Sequence, residues 1–163
     1  MAVKSILSYP LFQDILKAES VAVQMEDPSL LGIIKDLKDT LMATPNGVGL
    51  AAPQIGVLKR IFVLKKDYII NDLDINSALR RSAQEIITFI NPKIVVKKGI
   101  VHEEEGCLSV PDAYIEIERA KIIKVRALNE QGEQVYEKLK GLASRAVQQE
   151  IDHLNGILII DHK

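Results

Sequence analysis

The apolar residues of this chain change period twice, and that constrains the fold more than any other feature. Leu30, Ile34, Leu37 and Leu41 recur at helical spacing and give one apolar face. From Ile61 to Leu139 the apolar residues come instead in short runs separated by turn chemistry. Leu142, Ala146, Val147, Ile151 and Leu154 then return to helical spacing, and Asn155-Gly156 closes that segment. Strands grouped between two helices predict an α+β fold rather than alternating α/β, with mixed or antiparallel strands around the final helix. A single domain over residues 1–163 is expected from the length.

The local signals set the expected boundaries. Asp27-Pro28 predicts the first helix, with Asp as N-cap and Pro at the first helical position. Pro45-Asn46-Gly47 predicts its end, and the glycine-rich segment to Gln54 is expected to be a loop. Ile61–Leu64 and Ile86–Ile90 predict strands, the second ended by Asn91-Pro92, with Lys93–Val96 resuming pairing after the break. Asp67–Gln84 is polar and is expected to be an irregular excursion. Tyr114, Ile115 and Ile117 predict a further strand. Ile122–Leu128 and Gln134–Leu139 flank Asn129-Glu130-Gln131-Gly132 as a hairpin.

Charge and cysteine content exclude several classes. The net charge of −1 provides no broad basic field, so neither a nucleic-acid nor a membrane partner is expected; a local basic patch stays open. The one cysteine, Cys107, allows no intrachain disulfide. The N-terminal residues lack an apolar run of signal-peptide length, and no stretch approaches the roughly 20 apolar residues of a membrane helix. A cytoplasmic location is therefore expected.

Three constellations could carry chemistry. In the last helix, Gln149-Glu150-Ile151-Asp152-His153 has the form of HExxH with its first histidine replaced. Two histidines at i and i+4 hold a metal on one helix face, and the glutamate between them handles the proton of a bound water. With only His153 present, a polar stripe on an amphipathic helix is the plainer reading of this segment alone. In Glu105-Gly106-Cys107-Leu108-Ser109 the cysteine is either a small core residue or a thiolate ligand. Gly47-Val48-Gly49-Leu50-Ala51-Ala52-Pro53-Gln54 lacks the glycine spacing and the closing Lys-Ser/Thr of a phosphate loop, so a structural turn is the plainer reading.

Taken together and in this order, the three segments resemble the motifs of peptide deformylases, GxGLAAxQ, EGCLS and QHExDH. The third is matched except at Gln149. Ile90-Asn91-Pro92, Arg119 and Leu154-Asn155-Gly156 agree in the flanks. The resemblance implies removal of the formyl group from the N-terminal methionine of new polypeptides. N-formylmethionyl peptides would be the substrate, and a ribosome contact is implied as a partner. It implies one divalent metal, Fe2+ with Ni2+ or Zn2+ as alternatives, held by Cys107 and His153. Glu150 would act as general base and then general acid. Gln54 and the backbone N–H of Leu108 would stabilise the oxyanion. Gly49 would offer backbone to an extended peptide. Val48, Leu142 and Ala146 would line the methionine pocket, where Arg145 departs from the apolar residues of many relatives. Glu105 and Arg119 would pair behind the ligands and hold their loop.

Gln149 stands where the resemblance expects a metal-binding histidine. Its amide oxygen is a neutral, hard donor, better suited to calcium or magnesium than to a site with a thiolate. The remaining histidines, His102 and His162, lack motif spacing to the site. An impaired or altered hydrolase is expected, or else a catalytically inactive module that binds peptide N-termini.

Overall fold

A computed structural model describes residues 2–73, 77, 80 and 85–162. Its elements run α1 (Gln13–Leu16), α2 (Leu30–Met42), β1 (Gly49–Ala51), a 3-10 turn (Ala52–Ile55), β2 (Ile61–Lys65), α3 (Lys66–Ile69), a second 3-10 turn (Ile70–Asp72), β3 (Ile86–Cys107), β4 (Val110–Leu128), β5 (Gln134–Lys140), α4 (Gly141–Leu154) and a last 3-10 turn (Ile159–His162). The strands form one sheet in the order β1-β2-β3-β4-β5, with every neighbouring pair antiparallel. The expected α+β class holds, and the pairing is wholly antiparallel.

Helices cover the two faces of this sheet unequally. Ala143, Val147, Ile151 and Leu154 of α4 pack on Phe62, Leu64, Phe89, Ile123, Val125 and Leu139. On the other face Leu30, Ile34, Leu37 and Leu41 of α2 pack on Leu50, Ile61, Val63 and Ile90. Strand β2 therefore has no polar face: Ile61, Phe62, Val63 and Leu64 are all fully buried, which is why it reads as a continuous apolar run. Phe62 and Phe89 lie directly opposite across β2 and β3, and their rings stack with centroids 4.7 Å apart.

Several local expectations are corrected. Helix α2 begins at Leu30, after Pro28. The Asp27 carboxylate accepts from the backbone N–H and the hydroxyl of Ser29 at 2.9 and 2.7 Å, an Asx turn that leads into the helix. The expected break at Asn91-Pro92 does not end a strand, because β3 runs through it with a register shift between Ile90 and Lys93. Asn91 adopts φ 49°, and its side-chain amide bonds both backbone groups of Val23 at 2.8 and 3.0 Å. Short polar side chains tolerate that left-handed conformation. Part of the expected excursion after Asp67 is ordered as α3 and a 3-10 turn; the remainder lies largely outside the described residues. Asp72 in that turn accepts from the N–H groups of Leu142 and Ala143 at 2.9 and 3.4 Å, so it caps α4 from a distance in sequence. Among the described residues no helix is long and apolar enough to cross a membrane.

Candidate active site

Helix α4 is fixed against β4 by Gln148. Its amide accepts from the Ala120 N–H at 3.0 Å and donates to the Ala120 carbonyl at 3.0 Å, occupying the strand edge beyond the end of β5. This anchor sets the rotation of the next turn. Glu150 then lines a cleft of about 450 Å³ together with Val48, Gly49, Gln54, Cys107, Leu108, Ala146 and Gln149. Val110 to Tyr114, the start of β4, forms the opposite wall.

The glycine-rich segment is a strand rather than the expected loop. Gly49–Ala51 pairs with Phe62–Leu64 and is the edge of the sheet. A Cβ on Gly49 would meet Leu64 Cδ2 at 2.6 Å and the Glu150 side chain at 3.2 Å. Glycine there lets the backbone lie against the glutamate. The turn after β1 buries Gln54, whose Oε1 accepts from the Ala51 N–H at 2.9 Å. Its Nε2 donates to Ser109 Oγ at 3.1 Å and lies 3.9 Å from Cys107 Sγ. The amide is thus aimed into the cleft by two fixed partners.

Cys107 Sγ and His153 Nε2 face each other at 3.2 Å. Burial pushes the Cys107 thiol up to about 12; the Ser109 N–H opposes this and the Glu150 carboxylate adds to it. Burial pushes the His153 imidazole down to about 4. Both groups are neutral near pH 7. Burial also raises the Glu150 carboxyl to about 8, Arg119 opposing and the Asp152 and Glu105 carboxylates reinforcing the shift. Glu150 Oε1 and His153 Nδ1 are buried without a hydrogen-bond partner among the described residues.

Behind the thiol lies a buried ionic network. Arg119 Nε and Nη2 donate to the two oxygens of Glu105, each at 2.8 Å. Its Nη1 donates to Asp152 Oδ2 at 2.7 Å, which is also 2.9 Å from His162 Nε2. Gln149 joins this network. Its Nε2 donates to Glu105 Oε1 at 2.9 Å and to the Gly106 carbonyl at 3.2 Å. The amide nitrogen of Gln149 is thus latched to the end of β3, while the residue still borders the cleft.

The family model for polypeptide deformylase matches residues 3–163. The chain belongs to the peptide deformylase family. It is 42% identical over 163 residues to the peptide deformylase of Phenylobacterium zucineum, covering 99% of this chain and 88% of that one. The crystal structure of peptide deformylase from Thermotoga maritima is 36% identical, with a TM-score of 0.81 and coverage of 99% and 98%. A class I type b peptide deformylase from Acinetobacter baumannii with Met-Ala-Ser bound is 32% identical, with a TM-score of 0.81 and 99% coverage of both chains.

Peptide deformylases are metal-dependent hydrolases. Two of the donors expected from the resemblance, Cys107 Sγ and His153 Nε2, lie 3.2 Å apart here. The third motif position offers an amide whose nitrogen is engaged elsewhere. Among the described residues no three His, Cys, Asp or Glu side chains gather as a metal ion would require. His102 pairs with Glu118 at 3.2 Å on the exposed hairpin, and His162 faces Asp152; neither is turned to the cleft. The residues present do not fit a three-ligand catalytic metal.

Of the other expected site residues, Val48 and Ala146 line the cleft, whereas Leu142 does not. Leu142 sits in the first turn of α4, beside its Asp72 cap, and Arg145 also lies outside the lining. Sequence reasoning missed Ser109 as the acceptor that orients Gln54, and Asp152 as the second carboxylate on Arg119. Each lies inside a motif segment, which was the one available signal. Tyr114 was expected only as a strand residue; its ring covers Gly106, where a Cβ would meet Cε1 at 3.0 Å.

Proposed function

We propose that this chain keeps the deformylase groove for the N-formylmethionyl end of a new polypeptide and that Gln149 impairs its turnover. The observation that carries this is the placement of Gln149: its amide nitrogen is bound to Glu105 and Gly106 rather than turned toward Cys107 and His153.

The groove itself supports the substrate. Strand β1 is a sheet edge, and an extended peptide can add to it by backbone hydrogen bonds beside Gly49. Val48 and Ala146 offer apolar contact for a methionine side chain. The Gln54 amide donates toward the cleft, where it can polarise a formyl oxygen with the Leu108 N–H. The Acinetobacter baumannii relative, whose structure holds Met-Ala-Ser, supports a peptide led by methionine. Cys107 and His153 would hold the Fe2+, Ni2+ or Zn2+ that the family chemistry calls for, with one protein ligand fewer than usual. An ion held there would supply Lewis acidity that lowers the pKa of water, and two protein ligands hold it less firmly than three. With a carboxyl raised to about 8, Glu150 holds its proton near neutrality in the metal-free protein and is then a proton donor rather than a base. Contact with the ribosome would place the groove near its substrate.

A second reading is a catalytically silent module that holds peptide N-termini, and the Gln149 latch favours it. One pair of measurements separates the two. Protein purified anaerobically with Fe2+ or Ni2+ is assayed for formate release from formyl-Met-Ala-Ser, and the same peptide is titrated by calorimetry. Slow formate release with saturable binding supports the impaired hydrolase. Binding without formate selects the module. Turnover equal to that of a Gln149→His control overturns the role given to Gln149, and absence of binding overturns the groove.

A further inference from the structure

The outer face of the β3-β4-β5 sheet, turned away from α4, carries a cationic grid. Pairing aligns three rows across the strands: Lys93, Arg126 and Tyr136; Val96, Lys124 and Lys138; Lys98, Ile122 and Lys140. Residues directly opposite in a sheet share a face, so these nine side chains form one surface. Ile123, Val125 and Leu139, which alternate with them, point to α4. Helix α2 and its cluster cover the same face over β1, β2 and the ends of β3 and β4 at Ile86, Ile90 and Leu128; the grid residues lie outside that cluster.

Six of the nine positions are cations and none is an anion. Five of the six are exposed, with Arg126 half-buried. Among the described residues none of the six has an ion pair, although the chain has 22 acidic residues for 21 basic ones. The acidic residues of the β3-β4 hairpin, Glu103, Glu104, Glu105, Asp112, Glu116 and Glu118, lie toward its far end, and Glu130 and Glu133 lie in the β4-β5 turn. Like charges directly opposite, such as Lys124 and Lys138, destabilise a sheet. A near-neutral sum thus conceals one strongly cationic surface, complementary to a polyanion.

Tyr136 decides which polyanion. Its ring is 49% exposed at a corner of the grid, with Lys124 Nζ 5.3 Å from its centroid. A sheet face combining backbone-tracking cations with an exposed aromatic ring matches how sheets take up single-stranded nucleic acid, phosphates on the cations and a base stacked on the ring. We propose that this face binds single-stranded RNA, on the side of the sheet opposite α4.

The test is fluorescence anisotropy of a labelled 12-nucleotide single-stranded RNA against the full chain, over a salt series. If all six cations engage phosphates, the slope of log K against log salt is about −4, at about −0.7 per phosphate. The double reversal Lys124→Glu/Lys138→Glu should weaken binding at least tenfold and make the slope shallower by about 1.4. Tyr136→Ala should weaken it about fivefold or more, the lower end for loss of one base stack. Lys4→Glu/Lys35→Glu makes the same charge change on another surface and should leave affinity within about twofold. No binding at 50 mM salt overturns the proposal, as does equal weakening by the two double reversals, which would be a net-charge effect. Polyglutamate competing as well as RNA, with Tyr136→Ala silent, also overturns it and assigns the face to an acidic protein.

Discussion

Replacing Gln149 by histidine exchanges a latch for a ligand, and the structure sets the size of both effects. The substitution removes a hydrogen bond to the Glu105 carboxylate at 2.9 Å and one to the Gly106 carbonyl at 3.2 Å. A hydrogen bond to a charged acceptor is worth about 1.5–3 kcal/mol net, and the second, with an exposed acceptor, about 0.5. In EDTA, Gln149→His should therefore lose about 2–3 kcal/mol, the upper end taking the charged bond at about 2.5. For a chain of this size that lowers Tm by about 4–12 °C, at about 2–4 °C per kcal/mol. Gln149→Ala should lose a similar amount. Added Ni2+ then separates the proteins. The introduced imidazole would lie one turn from His153 and complete a set with Cys107. At a hundred times its Kd the metal returns about 2.7 kcal/mol, a rise of about 5–11 °C. The unsubstituted chain and Gln149→Ala should move by less than about 1 °C. Differential scanning calorimetry reads the shifts, and mass spectrometry of the metal content reads the stoichiometry. If the unsubstituted chain rises as far as Gln149→His, or purifies with one tightly held metal per chain, Gln149 or another group completes the site and the ligand argument is refuted.

Four further outcomes follow from the same geometry. Gly49→Ala forces a Cβ into the buried Leu64 and against Glu150, so urea unfolding should show a loss of about 1–3 kcal/mol and calorimetry at least tenfold weaker peptide binding. Gly32→Ala, in α2 with nothing within 4 Å of the added methyl, should instead stabilise by about 0.5–1 kcal/mol in the same assay. Asp72→Ala removes the cap of α4 and should cost about 0.5–2 kcal/mol by urea unfolding. At Asp161, slight burial works to raise the carboxyl, but the Leu158 N–H and Lys17 outweigh it and hold it below the usual range. A depressed carboxyl stabilises above its unfolded pKa and loses that contribution as pH falls through the folded value. Asp161→Asn should thus lower Tm at pH 7, with the difference closing at the acid end of a pH series.

The α+β class was legible because the period of the apolar residues changes with the elements. The uninterrupted run in β2 was legible as a strand, and the structure adds the reason for it, burial by α4 on one face and α2 on the other. Boundaries were less legible where one side chain does unexpected work. Asp27 serves an Asx turn before the helix it was expected to cap, and Asn91 continues a strand it was expected to end. Leu142, placed at the cleft by the resemblance, is outside the lining, and its N–H bonds Asp72. The partners of Asn91 and of the α4 cap are distant in sequence, and no local rule names them; Asp27 instead has two local roles open to it, cap and Asx turn, and the sequence does not choose between them. The cationic grid was invisible for a different reason: a net charge is a sum, and strand register determines where its terms fall.

Within α4 each residue from Gln148 to His153 points in a new direction, about 100° from the last, and five of the six meet a different polar environment. Gln148 meets the edge of β4, Gln149 the end of β3, Glu150 the cleft, Asp152 the Arg119 guanidinium, and His153 the thiol. Gln149 and Asp152 reach opposite members of one ion pair, Gln149 the Glu105 carboxylate and Asp152 the Arg119 guanidinium, so that pair keeps its other partner when Gln149 is changed. Glu105 also accepts from Arg119, so the β3 end keeps a buried anchor when Gln149 is replaced. That arrangement explains how a chain can match a family over residues 3–163, keep the cleft and the glutamate that lines it, and still differ from the family motif at a single side chain.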